Sequence, residues 1–285
     1  MMRAAPTLLR CILPLLIGAV ASLSPARASA MERAEVESAF SEAIGAFETG
    51  NGLVATDPAA AQAEYEKATL RLEQIIREGG VKNGKLYYNL GNVWFQRGDL
   101  GRAILNYLRA GQYMPNNINL QQNLAYVRQQ RKDAFEQTEQ RKVLNTLFFW
   151  HYDIPSGIRL RLFTLAFLAF WAFAAARLFW KPGALNGALA LSGVLAALLF
   201  ISLTVEARSH RAHPAGVVVA AETIARKGDG ETYQPSFSES LHAGTEFTVL
   251  EDRGDWVQAS LPDERTCWLS RRDVALVSEK REQDG

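Results

Sequence analysis

Apolar and polar positions change their period several times along this chain. Positions 11–23 form a short apolar run. From 31 to 142 strand-like alternation is almost absent, and apolar residues recur at helical spacing. Tyr87, Leu90, Gly91 and Trp94, at i, i+3, i+4 and i+7, share one helix face. Positions 162–180 are apolar on every side with only Arg177 charged, and positions 185–205 carry no charge. At 1.5 Å per residue such helices reach about 28–32 Å, the thickness of a bilayer core. Beyond 215 the period falls to two. Short strands are predicted at 216–219, 223–226, 241–250 (a turn, then a strand), 255–259 and 266–269, with a loop rich in Gly, Ser and Pro over 228–238.

The opening segment has the layout of a secretory leader. Arg3 and Arg10 precede or begin the apolar run, and Ala28-Ser29-Ala30 supplies small residues for cleavage before Met31. Lys181-Pro182-Gly183-Ala184 leaves room only for a tight turn, so the two long apolar runs form an antiparallel hairpin across the membrane. A cleaved leader exports residue 31 onward, and the hairpin returns the chain to that same side. Arg177 and Lys181 then face the cytoplasm, and both polar regions lie outside it. Ala172 with Ala176, and Gly193 with Ala197, are small residues four apart that suit close helix approach. The aromatic run 147–152 reads as a belt at the lipid interface, within a segment expected over 143–161.

Charge adds little until it is divided along the chain. The formal net charge is +1 over 285 residues. Residues 31–158 carry 14 basic and 15 acidic side chains, residues 206–285 carry 10 and 15, and the excess of positive charge sits in the leader and hairpin. Neutral-to-acidic polar regions argue against nucleic acid as a partner. Two cysteines exclude a disulfide-built scaffold, and loss of the leader, with Cys11, leaves Cys267 as the one thiol. His210 and His213 are too few for a metal site. No nucleophile elbow, phosphate loop or ligand cluster is present, so neither catalysis nor a cofactor is expected.

Residues 31–142 also contain a 34-residue period: Asn89, Leu90, Val93 and Gln96 recur as Asn123, Leu124, Val127 and Gln130. Gly98-Asp99 separates two helices, Ala103, Tyr107 and Ala110 line the second, and Pro115 closes the unit. With Tyr87, Leu90, Gly91 and Trp94, these residues resemble the signature of the tetratricopeptide repeat. A degraded unit precedes it, with Asp57-Pro58 as its second-helix cap and Ala68, Leu72 and Ile75 at second-helix spacing. Its first helix is expected over 34–48. A third unit keeps only a first helix, running from 118 to about 142. The resemblance implies a concave recognition surface on the first helices, lined by Lys85, Tyr88, Asn89, Asn92, Phe95, Gln96 and Asn123. Two readings stay open for Asn89 and Asn123: binding the backbone of an extended peptide, or bracing neighbouring helices.

The segment 215–277 resembles a bacterial SH3-type barrel. The match rests on Leu241, Gly244, Thr245, Phe247, Val249 and Leu250, then Trp256, and finally Trp268 before Asp273-Val274. Cys267 stands where that family usually has Gly. The resemblance implies a groove in which Tyr233, Trp256 and Trp268 hold a peptide or wall polymer, against the alternative that the tryptophans are core. A polar tail, 278–285, follows.

The fold class expected is therefore multidomain: an α-helical repeat domain at 31–142, a two-helix transmembrane hairpin at 162–180 and 185–205, and a small all-β barrel at 215–277. Leader, repeats, hairpin and barrel in that order resemble the BatE type of the bacterial aerotolerance (Bat) family. That resemblance implies a non-catalytic adaptor in the bacterial inner membrane, exposed to the periplasm. Its implied partners are von Willebrand A-domain Bat proteins and, indirectly, a MoxR-type ATPase. The alternative is a membrane-anchored binder of cell wall acting through the barrel.

Overall fold

The computed structural model describes residues 31–135, 143, 146–152, 154–180, 183–212 and 214–278. The leader expected over 1–30, Lys181 and Pro182 of the hairpin turn, His213 and the tail past Ser278 lie outside the described residues, as does the His210 side chain.

Five helices build the N-terminal half: α1 (Arg33–Leu53), α2 (Pro58–Arg77), α3 (Gly84–Gln96), α4 (Leu100–Tyr113) and α5 (Ile118–Gln129). Four begin on a side-chain cap. Asp57, Asn83, Asp99 and Asn117 each accept a hydrogen bond from the backbone N–H three residues on, at 2.8–3.0 Å, which satisfies a donor the helix leaves orphaned. Asn83 and Asn117 extend the 34-residue period to the caps themselves. Successive helices pack on one another from α1 through α5.

The two helix pairs repeat one contact. Ala61, Tyr65 and Ala68 on α2 are buried just as Ala103, Tyr107 and Ala110 on α4 are. Each tyrosine ring lies against a glycine of the preceding helix. A Cβ on Gly50 would stand 2.6 Å from Tyr65, and one on Gly91 2.7 Å from Tyr107. Each hydroxyl then donates to the asparagine that follows that glycine, Tyr65 to Asn51 at 2.9 Å and Tyr107 to Asn92 at 2.8 Å. This corrects the register read from sequence. Ala61, Tyr65 and Ala68 match α4, rather than Ala68, Leu72 and Ile75, because each set starts four residues after its aspartate cap. The helix expected from 118 to about 142 is interrupted: α5 ends at Gln129, residues 131–135 cross to the sheet, and 136–142 lie outside the described residues.

A short helix, α6 (Phe149–Tyr152), leads into α7 (Ser156–Phe179) and α8 (Gly183–Ala212). Both α7 and α8 are long and apolar enough to cross a membrane, and most of their large apolar side chains are exposed. Their seam buries Ala166, Ser192, Ala196 and Leu199, with Gly193 against the Phe170 ring. Ala172 and Ala197, expected at the contact, face outward instead. The helices also outrun the predicted spans of 162–180 and 185–205. Arg159 is only 3% exposed and forms an ion pair with Glu206 while donating to Ser202 Oγ. Neutralised in this way, it is buried between the two helices near the end of the hairpin.

Seven strands follow: β1 (Ala215–Val218), β2 (Glu222–Thr223), β3 (Leu241–His242), β4 (Glu246–Asp252), β5 (Trp256–Ser260), β6 (Thr266–Ser270) and β7 (Val274–Leu276). Five make one antiparallel sheet in the order β6-β5-β4-β1-β7, and β2 pairs with β3. Val218, Phe247, Val257, Leu269 and Leu276 are buried together at its core. The predicted strand at 223–226 is largely irregular: past β2, Arg226 makes only isolated bridges to Pro235 and Trp268. Strand β7, missed in the sequence, pairs with β1 through Val217 and Ala275. Three residues are too few to display alternation.

Candidate binding surfaces

The residues expected to line the repeat groove divide into two sets. Tyr88, Asn92 and Asn123 are bonded to one another: Asn123 Nδ2 donates to the Tyr88 hydroxyl at 3.0 Å and to Asn92 Oδ1 at 3.1 Å. Asn92 Oδ1 already accepts from Tyr107, so four side chains tie α3, α4 and α5 together. Burial, with Tyr88 beside it, raises the Tyr107 phenol above its ordinary pKa. Lys85 and Gln96, at opposite ends of α3, remain exposed. The Lys85 ammonium lies 5.5 Å from the Phe40 ring centre, and Phe95 meets Tyr126 edge-on at 5.8 Å. Asn89 is half-buried between these sets. Lys85, Asn89, Phe95 and Gln96 thus form an open face on a hydrogen-bonded scaffold.

The three aromatic residues expected to line a groove on the sheet differ in burial. Trp256 and Trp268 lie on the same sheet face, diagonal across β5 and β6. Trp268 is only 8% exposed, with the Arg253 guanidinium 4.7 Å above its ring. Tyr233 is half-exposed, its ring pressed on Gly228, where a Cβ would come within 2.6 Å. Only Trp256 lines the nearby cleft of about 290 Å³, together with Thr223, Arg226, Arg272 and Asp273. Cys267 is buried, and that burial pushes its thiol up to about 12.

What sequence reasoning missed is the joint between the two soluble regions. Leu105, Tyr107 and Val127 of the helices share one buried cluster with Val217 and Val277 of the sheet. Glu246 on β4 accepts from Arg128 at 2.6 and 2.8 Å and from Arg131 at 3.0 Å. Asp133 accepts from the His242 backbone N–H at 2.7 Å, from the His242 ring at 2.7 Å and from the Thr245 hydroxyl. Burial opposes ionisation of Asp133, but these hydrogen bonds outweigh it and hold the carboxyl below its ordinary value. Arg109 donates to the Leu276 carbonyl at 3.0 Å, and Gln112 to Ser278 at 3.0 Å. A stacked helical array exposes an apolar face at its last element, and here the sheet covers it. Its trace in the sequence is slight: Gly101 inside a helix, and Gly244 at φ +90° in the turn before β4.

The same soluble unit meets the end of the hairpin. A Cβ on Gly157, in the first turn of α7, would stand 2.7 Å from the Asn116 amide in the α4–α5 turn. Next to it, His151 Nδ1 lies 2.8 Å from Ser202 Oγ and 3.1 Å from the Arg159 guanidinium. Phe148 and Phe149 are exposed, with both rings edge-on to Trp150. Among the described residues no group of three or more His, Cys, Asp or Glu is placed to hold a metal ion. No protein-family model, no curated protein and no solved structure matches this chain.

Proposed function

We propose that this chain is a non-catalytic adaptor of the bacterial inner membrane that binds a protein partner through the first-helix face of a tetratricopeptide-type array. The observation that carries this reading is the division within the groove. Tyr88, Asn92 and Asn123 stiffen the helices while Lys85, Asn89, Phe95 and Gln96 stay accessible beside them. A face preorganised in this way loses little entropy when a peptide docks. The exposed ammonium of Lys85 suits a carboxylate, and the Asn89 and Gln96 amides suit a peptide backbone. The hairpin α7–α8 tethers the soluble unit to the bilayer, with that unit in the periplasm and the SH3-like sheet closing the end of the array. Within a Bat-type complex, the partner in this reading is a membrane-anchored von Willebrand A-domain protein. Burial of Trp268 makes the repeat face a better candidate than the sheet.

The test is affinity capture from detergent-solubilised membranes with wild type and with Lys85→Glu/Gln96→Ala. Both substituted side chains are exposed, so thermal unfolding is expected to be unchanged while the captured partner is lost. Equal recovery by both proteins rejects the face. A reporter active only in the periplasm, fused after Gly285, checks the orientation.

A further inference from the structure

We propose that the outer seam between the helical domain and the sheet is a second binding site, for an acidic peptide segment carrying apolar side chains. It lies on α2, α4 and the β1–β7 edge, away from the open face of α3, and does not depend on what that face binds.

Two clefts run along this seam, of about 370 and 540 Å³, and meet at Arg102 and Val219, which line both. Arg77, Arg97, Arg102, Arg109 and Lys132 line them against two carboxylates, Glu73 and Asp99. These cations gather on a soluble unit whose composition is neutral to acidic, with Arg77 also 3.8 Å from Glu78. The charges are also crowded. The guanidiniums of Arg97 and Arg102 both lie over the Trp94 ring, at 4.6 and 4.9 Å from its centre. Asp99 pairs with Arg102, whereas Arg97 has no carboxylate partner among the described residues. Lys132 Nζ stands 2.7 Å from His242 Nε2 at the far end. Gathering like charges along one concave surface costs Coulomb energy that a bound anion removes.

Charge alone would fit any polyanion, but the floor selects a peptide. Ile76, Leu90, Trp94 and Ala275 line the smaller cleft and suit apolar side chains. Carboxylates for the arginines and apolar side chains for the floor are together offered by an acidic, apolar peptide and not by a phosphate polymer.

The experiment uses the full chain in detergent micelles and a fluorescent, end-blocked hexapeptide of alternating aspartate and leucine. Binding by anisotropy is expected at low salt. It should weaken about tenfold in Arg77→Gln/Arg97→Gln, which removes two cations and touches no contact between the domains. Exchange of every aspartate for asparagine should abolish binding, and exchange of leucine for glycine should weaken it. Lys85→Glu/Gln96→Ala should bind the probe as wild type does, so loss of the partner at the open face leaves this result intact. Failure of the probe to bind, indifference to the double substitution, or equal competition by pyrophosphate with no need for leucine each overturns the proposal.

Discussion

Gly101, on α4, lies so close to the sheet that a Cβ there would stand 2.6 Å from the carbonyl oxygen of Val218 on β1. The obstacle is backbone, which cannot rotate aside as a side chain would. Ten residues further along the same helix, a Cβ on Gly111 meets nothing within 4 Å. The two glycines therefore respond oppositely to one substitution. Gly111→Ala gains helix propensity and is expected to stabilise by up to about 1 kcal/mol. In Gly101→Ala the same gain is overtaken by overpacking of about 1–3 kcal/mol. Thermal unfolding of the two variants checks this. An equal rise in both would mean that helix and sheet do not meet at Gly101.

Asp133 makes the joint pH-dependent. Its carboxyl is held below its ordinary value in the folded chain, so its contribution is present above the unfolded value of about 4 and is lost as pH falls through the folded value. Asp133→Asn should lower the unfolding temperature at pH 7, where wild type carries the hydrogen-bonded carboxylate. The difference should shrink at pH 3. A gap of constant size across that range would show that the charge of Asp133 contributes nothing.

Arg159 and Glu206 test the hairpin. Arg159 is almost fully buried, so removing its counter-ion leaves a charge without compensation. Glu206→Gln is expected to destabilise the hairpin by about 3–5 kcal/mol, more than the joint replacement Arg159→Leu/Glu206→Leu. Denaturant titration in bilayer discs measures both. A double replacement as damaging as the single one would mean that packing, not charge, dominates at this position.

Cys267 should be inert in the native chain. Burial raises its thiol to about 12, so almost none is thiolate at pH 8. Maleimide labelling of this position is expected only after denaturation. Labelling at the rate of a free thiol under native conditions would place Cys267 at the surface.

Several elements were legible in the residues because their causes are local. Asp57 and Asp99 mark helix starts since a carboxylate reaches the third N–H without help from the rest of the fold. The two apolar runs announced helices long enough for a membrane, because backbone satisfaction within a helix depends on length and hydropathy alone. The sheet strands β4, β5 and β6 were readable because each is at least five residues long with buried positions on a strand period or continuous through the core. Strand β7 and the register of α2 were not, since β7 is three residues long and α2 carries apolar side chains at more than one helical phase.

What the sequence determined by itself was the order and kind of the elements: capped helices, two oily spans, then short strands. Tertiary structure alone decided what they do to each other. Averaged composition presents the soluble regions as neutral to acidic, yet folding gathers Arg77, Arg97, Arg102 and Lys132 along one seam. It also places Arg128 and Arg131 on Glu246 and brings Asp133 to His242, more than a hundred residues away in the chain. Caps and periodicity are read over a few residues. Pairings between distant charges depend on which faces two domains bury against each other, and no local pattern encodes that choice.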